Sequence, residues 1–294
     1  MNKLPVGRTI AFAYRFTFTH LGTIIGLVWI PLVLIAVLRF LPYAFGGNPD
    51  AAPENLTEEG RRALEAIGST LLIALLYSMA YVPVIRQALG LREGPAMVHF
   101  ALGPPEFRLF GAILLFALVL ICMAFAMAIA GTLFGGLVNA AAGKPSLIAF
   151  VAALSIIIMF CAMLFIALRL GFLLVPVTVA EQQISLGRSW SLTRGNFWRI
   201  LGVILATTLP ILLVDLAIVV AIVGPQQFFA PFPVGDAQTM NAAMSQRLAP
   251  LGQHMPLYLG LRLIVEPFMI GLNLGACAAA YRALAPAASP NKAV

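Results

Sequence analysis

The chain has 294 residues, of which 61% are hydrophobic and only 10% charged, whereas soluble domains carry about a quarter charged residues. A water-soluble fold has too little polar surface to cover so much apolar area. The net charge of +7 does not mark a nucleic-acid binder, because the basic residues flank apolar runs instead of forming a basic domain.

Lys3, Arg8 and Arg15 precede the first apolar run, 21–41. That run is longer than the about 7 to 15 residues of a signal-peptide core and no Ala-x-Ala site follows it, so it reads as a retained span. A hydrocarbon layer about 30 Å thick needs about 20 apolar residues in a helix. Five further runs have that length, at 67–85, 109–137, 147–170, 200–223 and 257–280. The expected fold is therefore an all-α, polytopic membrane protein, a single membrane domain over 1–294 with six transmembrane helices.

Cytoplasmic loops are enriched in Lys and Arg. Lys3, Arg8, Arg15, Arg86, Arg92, Arg108, Arg169, Arg188, Arg194, Arg199, Arg282 and Lys292 fall on one side of the six spans, and at most six basic residues on the other. Both termini are expected inside. Tyr14, Tyr43, Trp190, Trp198, Tyr258 and Tyr281 fall near span ends, as an aromatic belt requires.

In the first outer loop, Asn55-x-x-Glu58 has the spacing of a capping box and predicts a helix that starts near Leu56 and runs into the second span. The last outer loop, 224–256, interleaves Phe228, Phe229 and Phe232 with Pro225, Pro231 and Pro233. After it, Met240, Met244 and Leu248 recur every four residues, the pattern of a short amphipathic helix on the membrane surface.

The chain resembles itself at an offset of 180 residues: Val6-Gly7-Arg8-Thr9 matches Leu186-Gly187-Arg188-Ser189, and Leu21-Gly22 matches Leu201-Gly202. Each copy places a short amphipathic segment before a span. The expectation is two cytoplasmic interfacial helices, at about 5–18 and 184–194. Val6, Ile10, Ala13 and Tyr14 form the apolar stripe of the first, Leu186 and Trp190 that of the second. Arg8, Arg15, Arg188, Trp190, Arg194, Trp198 and Arg199 then form a rim facing anionic lipid headgroups or a protein partner, with about 1 kcal/mol of attraction per basic residue.

The stretch Ser189-Trp190-x-Leu192-Thr193-Arg194-Gly195-Asn196-x-Trp198-Arg199, leading into a span, resembles a pattern in bacterial six-helix inner-membrane proteins grouped with the glycerophosphoryl diester phosphodiesterase membrane domain. The specific likeness covers about twenty residues, and the six-span arrangement extends it loosely over the chain. The resemblance implies a bacterial inner-membrane location and a membrane domain of unspecified role. It does not carry over phosphodiesterase activity, since no loop is large enough to be that soluble domain.

No HExxH, GxSxG, GxxxxGK[ST] or GxGxxG motif occurs, and no enzymatic activity or cofactor is expected. His20, His99 and His254 are scattered over predicted interfaces, and Cys122, Cys161 and Cys277 fall inside apolar runs, so no metal or disulfide spacing arises. Ionisable residues within spans are the remaining signal. Asp215 lies about fifteen residues into the fifth span, or ~22 Å deep at 1.5 Å per residue. Glu266, with Arg262 one turn earlier, enters from the other side, and Arg39 ends the first span at a similar level. These four form a candidate polar cluster: either an interhelical ion pair or a site facing an outward cavity. Gly22-x-x-x-Gly26, Gly131-x-x-x-Gly135 and Gly271-x-x-x-Gly275 offer close helix crossings. The functional expectation is a non-enzymatic interaction, envelope-maintenance or lipid-engaging factor, and the alternative is a small-solute or lipid transporter using the charged cluster.

Overall fold

The computed structural model describes residues 3–45, 56–91, 101–142, 145–231 and 237–285. These residues form helices and no strand: α1 (Val6–Thr19), α2 (Leu21–Phe45), α3 (Leu56–Leu89), α4 (Pro104–Ala142), α5 (Pro145–Gly171), α6 (Leu174–Ala180), α7 (Leu186–Thr193), α8 (Phe197–Val223), α9 (Pro225–Phe228), α10 (Ala237–Gln253) and α11 (Met255–Leu284). Six helical segments are long and apolar enough to cross a membrane, namely α2, α3, α4, α5 continued through α6, α8 and α11. Leu4 and Leu284 share one buried cluster, so the start and the end of the described chain meet at one end of the bundle, the terminal end.

Helix α11 is the hub, packed by α1, α2, α3, α6 and α8. Its buried face is built of small residues, Gly271, Gly275, Ala276, Ala278 and Ala280. Between helices in lipid the gain comes from close packing, and small side chains let the backbones approach. A Cβ on Gly271 would stand 2.9 Å from Thr17 Cγ2, and one on Gly275 would stand 3.2 Å from Ala13 Cα. The Gly271-x-x-x-Gly275 pair is thus the groove into which α1 fits.

Helix α1 is integrated into the bundle. Leu4 N donates to Asn196 Oδ1 at 3.0 Å and, ten residues further along each chain, Tyr14 OH donates to Ala206 O at 2.9 Å, so α1 runs parallel to α8. The face of α1 that is buried is Thr9, Ala13, Phe16 and Thr17, not the full predicted stripe. Only Ala13 is common to both. Thr17 Oγ1 donates to Ala13 O (2.9 Å) and Thr9 Oγ1 to Pro5 O (3.0 Å), which satisfies both hydroxyls within the helix and leaves small side chains to face α11. Val6, Ile10 and Tyr14 are half-buried along the flank of this contact. After a break at His20, α2 packs along α11, with Ile24 against Gly271, and its far end brings Tyr43 against Gly252 of α10.

Among the described residues helix α3 begins at Leu56, and its first turns carry Arg62–Glu58 (2.6 Å) and Arg61–Glu65 (2.5 Å) pairs. At 34 residues it is ~51 Å long and overshoots the hydrocarbon layer. The capping Asn55 lies outside the described residues, as do Arg92, His99, Lys144, Phe232, Pro233, Asp236 and Lys292.

The fourth span is broken between α5 and α6. Pro176 has no N–H for the carbonyl of Phe172 and its ring would collide there. The helix therefore stops at Gly171 and restarts at Leu174, with Pro176 in the first turn, where no donor is needed. Buried α6 then wedges among α3, α4 and α11. Helices α4 and α5 pack chiefly on each other, and α4 turns Leu115, Leu118, Ile121, Phe125 and Ile129 outward, as a lipid-facing hairpin does.

Candidate functional site

Two groups of residues singled out by the sequence receive different structural roles. The first is the rim. Because α5 ends at Gly171, the carbonyls of its last turn lose their helical donors. Ser189 Oγ donates to Leu170 O at 2.8 Å and Thr193 Oγ1 lies 3.1 Å from Arg169 O; both side chains are fully buried. Between them on α7, the Trp190 ring lies 3.6 Å from the Arg169 guanidinium carbon, and Arg169 Nη2 donates to Trp190 O at 3.0 Å. Ser185 caps α7 by accepting from Arg188 N. Gly195, at φ +76°, turns the chain into α8, a backbone state that other residues rarely adopt.

The same motif fastens the chain start. Asn196 accepts from Leu4 N, and Arg199 Nη1 donates to Leu4 O at 3.2 Å. Arg188 Nε donates to Glu181 Oε1 at 3.0 Å, and Tyr281 OH donates to the same oxygen at 3.2 Å. Arg188, Trp190 and Arg199 therefore work inside the protein, joining α5, α7, α8, α1 and α11. Arg8, Arg15, Arg194 and Trp198 remain exposed, Trp198 at 78%. Arg169, counted in the sequence only as a topology signal, is the centre of this clip.

The second group is the polar cluster. Glu266 on α11 is 5% exposed. Its Oε2 lies 3.6 Å from Arg262 Nε, one turn earlier on the same helix, and its Oε1 accepts a short hydrogen bond from Tyr77 OH of α3. Arg39 of α2 reaches Tyr77 OH at 3.4 Å, and Arg262 Nη1 donates to Tyr258 OH at 3.0 Å. The chain Arg39, Tyr77, Glu266, Arg262, Tyr258 thus ties together α2, α3 and α11. Tyr77 was not anticipated. Its signal is a phenol ten residues into the apolar run 67–85, where a hydroxyl must find a partner.

Asp215 on α8 joins this cluster without an ion pair. Among the described residues none of its oxygens lies within 4.0 Å of a basic nitrogen, although Arg262 is near enough to interact electrostatically. Asp215, Arg262 and Glu266 line one partly open cavity of ≈ 170 Å³ between α8 and α11, together with Ile211, Val265, Met269 and the half-exposed Leu212. Toward the end opposite the termini, the α8–α11 seam continues as an open apolar groove of ≈ 580 Å³ lined by Ala217, Ile218, Ala221, Leu257 and Leu261, with His254 at its edge and with Val214 and Leu257 about half exposed. Toward the terminal end the seam closes, with Thr208 Oγ1 donating to Asn273 Oδ1 at 3.0 Å. Small Ala217 and Ala221 on α8 leave the space that larger side chains would fill.

The histidines and cysteines stay apart. With Nδ1 protonated, His20 donates to Phe16 O and His254 to Pro250 O, while Cys277 is buried and Cys122 and Cys161 are exposed on α4 and α5. Among the described residues no three His, Cys, Asp or Glu side chains come together as a metal site would require. No family model matches the chain, and neither a curated protein nor a solved structure matches it.

Proposed function

We propose that the protein is a non-enzymatic multi-pass protein of the bacterial inner membrane, with both termini in the cytoplasm, that binds a small or lipidic amphiphile in the outer half of the α8–α11 seam. The observation that carries this reading is the unequal treatment of the two intramembrane acids. Glu266 is committed to Arg262 and Tyr77, which accounts for it structurally. Asp215 lines a cavity without such a commitment. Placing a carboxylate in a span costs about 2.5–3.5 kcal/mol at the centre, and a purely structural role supplies little at Asp215 to offset it.

The terminal end suits the lipid-engaging part of the reading. Lys3, Arg8, Arg15, Arg194 and Trp198 are exposed there, and anionic headgroups complement them. The resemblance of the Ser189–Arg199 stretch to bacterial six-helix membrane domains agrees with this picture as a proposal, with the stretch acting as an internal clip. No nucleic acid, cofactor or catalytic residue enters it.

Native mass spectrometry of protein released from membranes tests the reading. The wild type is expected to retain a co-purified amphiphile that Asp215→Asn loses while folding normally. Equal retention by both proteins would contradict it.

A further inference from the structure

Resting on the binding role proposed for this seam, we infer that its ligand is an organic monocation with a compact apolar body, an amine or ammonium compound whose charged head meets Asp215. The charge of the small cavity points that way. Its lining carries two carboxylates, Asp215 and Glu266, and one guanidinium, Arg262, which is a net charge of −1. Arg39 lies outside that lining and meets the cluster at Tyr77, on the far side of Glu266. Arg262 and Glu266 neutralise each other at 3.6 Å. The remaining charge is the Asp215 carboxylate, and it faces the space.

The shape of the seam supplies the second half of the argument. Next to Asp215 and Arg262 in the chain stand Val214 and Leu261, which begin the open apolar groove. Its space of ≈ 580 Å³ has room for a compact apolar body. An anion would meet the net negative charge and find its one cation already engaged by Glu266 and Tyr258. A neutral apolar molecule would fill the wide groove but leave Asp215 without a partner in a low-dielectric site. A cation with an apolar body satisfies both parts.

The test uses three probes that share one body: 1-naphthylmethylammonium, 1-naphthylmethanol and 1-naphthoate. Binding of each to the purified full-length protein in nanodiscs is measured by equilibrium dialysis, with empty nanodiscs subtracted. The ammonium probe is expected to saturate and to bind at least about tenfold more tightly than the alcohol, with no saturable binding of the naphthoate. Asp215→Asn should remove this preference at unchanged melting temperature, and Ala217→Leu, which fills the apolar groove, should weaken both the ammonium and the alcohol. Equal affinity for ammonium and alcohol, or a preference that survives Asp215→Asn, overturns the cation assignment and leaves an amphiphile site standing. Tighter binding of the naphthoate does the same. Partition of all three probes no greater than into empty nanodiscs overturns the binding role itself.

Discussion

Replacing Gly275 by Ala adds one methyl group where α11 comes close to the backbone of α1. Its Cβ would stand 3.1 Å from Phe16 Cδ1, 3.2 Å from Ala13 Cα and 3.5 Å from Ala13 O. Phe16 can rotate slightly, but Ala13 presents backbone, so α1 must move away from α11 by a few tenths of an ångström. Overpacking of this kind costs about 1–3 kcal/mol, offset by about 0.5–1 kcal/mol gained when Gly is removed from a helix interior. Gly260, on the same helix, has nothing within 4 Å of an added Cβ. Gly260→Ala therefore receives the helix gain alone, and the difference between the two variants isolates the clash, at about 1–3 kcal/mol. Equilibrium unfolding from mild micelles into a denaturing detergent measures both. If Gly275→Ala is as stable as Gly260→Ala, α1 does not pack in the Gly271–Gly275 groove.

Three further outcomes follow from the same geometry. Glu266→Leu removes the only carboxylate among the described residues within 4.0 Å of Arg262 and the acceptor of Tyr77 OH; a loss of about 2–3 kcal/mol in the same unfolding assay is expected, since an unpaired charge in a span costs about that much, and unchanged stability would refute a structural Glu266. The double variant Ser189→Ala, Thr193→Val leaves the Arg169 and Leu170 carbonyls without their hydroxyl partners, so a loss of about 1–3 kcal/mol at about 0.5–1.5 kcal/mol per bond should appear, with faster hydrogen exchange at the end of α5; no change in either would mean that α7 does not clip α5. Replacing Arg8, Arg15 and Arg194 by Gln, all three exposed, should leave the unfolding energy unaltered and lower the preference for anionic over neutral lipid, by about 1 kcal/mol per residue; lipid preference equal to wild type would remove the rim from the account.

What was legible in the sequence follows the physics of each feature. Apolar runs of span length are unambiguous because the bilayer thickness sets them, and six helices of that kind are present. Among the described residues α3 begins at Leu56, and the Asn55 cap proposed from the sequence lies outside them. The fourth apolar run, 147–170, ends close to where α5 stops, but it does not reveal the continuation in α6, which depends on where Pro176 would meet Phe172. The packing of α1 was less accessible. A stripe of Val6, Ile10, Ala13 and Tyr14 is the apolar face by composition, yet Thr9 and Thr17 are buried because their hydroxyls bond within α1, and Thr17 is small enough to sit against Gly271 of α11. Residue size at a crossing outweighs polarity there, and the partner helix lies some 250 residues away in the chain.

The site was half legible. Arg39, Asp215, Arg262 and Glu266 stood out because charge in a span is rare, and the structure brings them into one neighbourhood. The bridging phenols were not distinguished, because Tyr258 also suits the aromatic belt and Tyr77 hides in an apolar run. Nor do the charges alone reveal that Glu266 is tied and Asp215 is not. That difference arises from which helices bring Tyr77 and Arg262 to Glu266. The rim showed the converse. Arg188, Trp190 and Arg199 have the composition of a lipid-facing surface, and only three-dimensional contact shows that they hold other parts of the chain.

The proposed binding role rests on Asp215 facing the cavity that it shares with Arg262 and Glu266, and not lipid. In a background with Cys122, Cys161 and Cys277 replaced by Ala, Asp215→Cys and Leu213→Cys can be compared for reaction with a membrane-impermeant methanethiosulfonate in sealed vesicles. Leu213 is exposed on the outer surface of α8, and a thiol there stays protonated in hydrocarbon and unreactive. The account predicts that position 215 is modified from the face opposite the termini and position 213 is not. Protection of both positions, or modification of 215 only from the side of the termini, would contradict it.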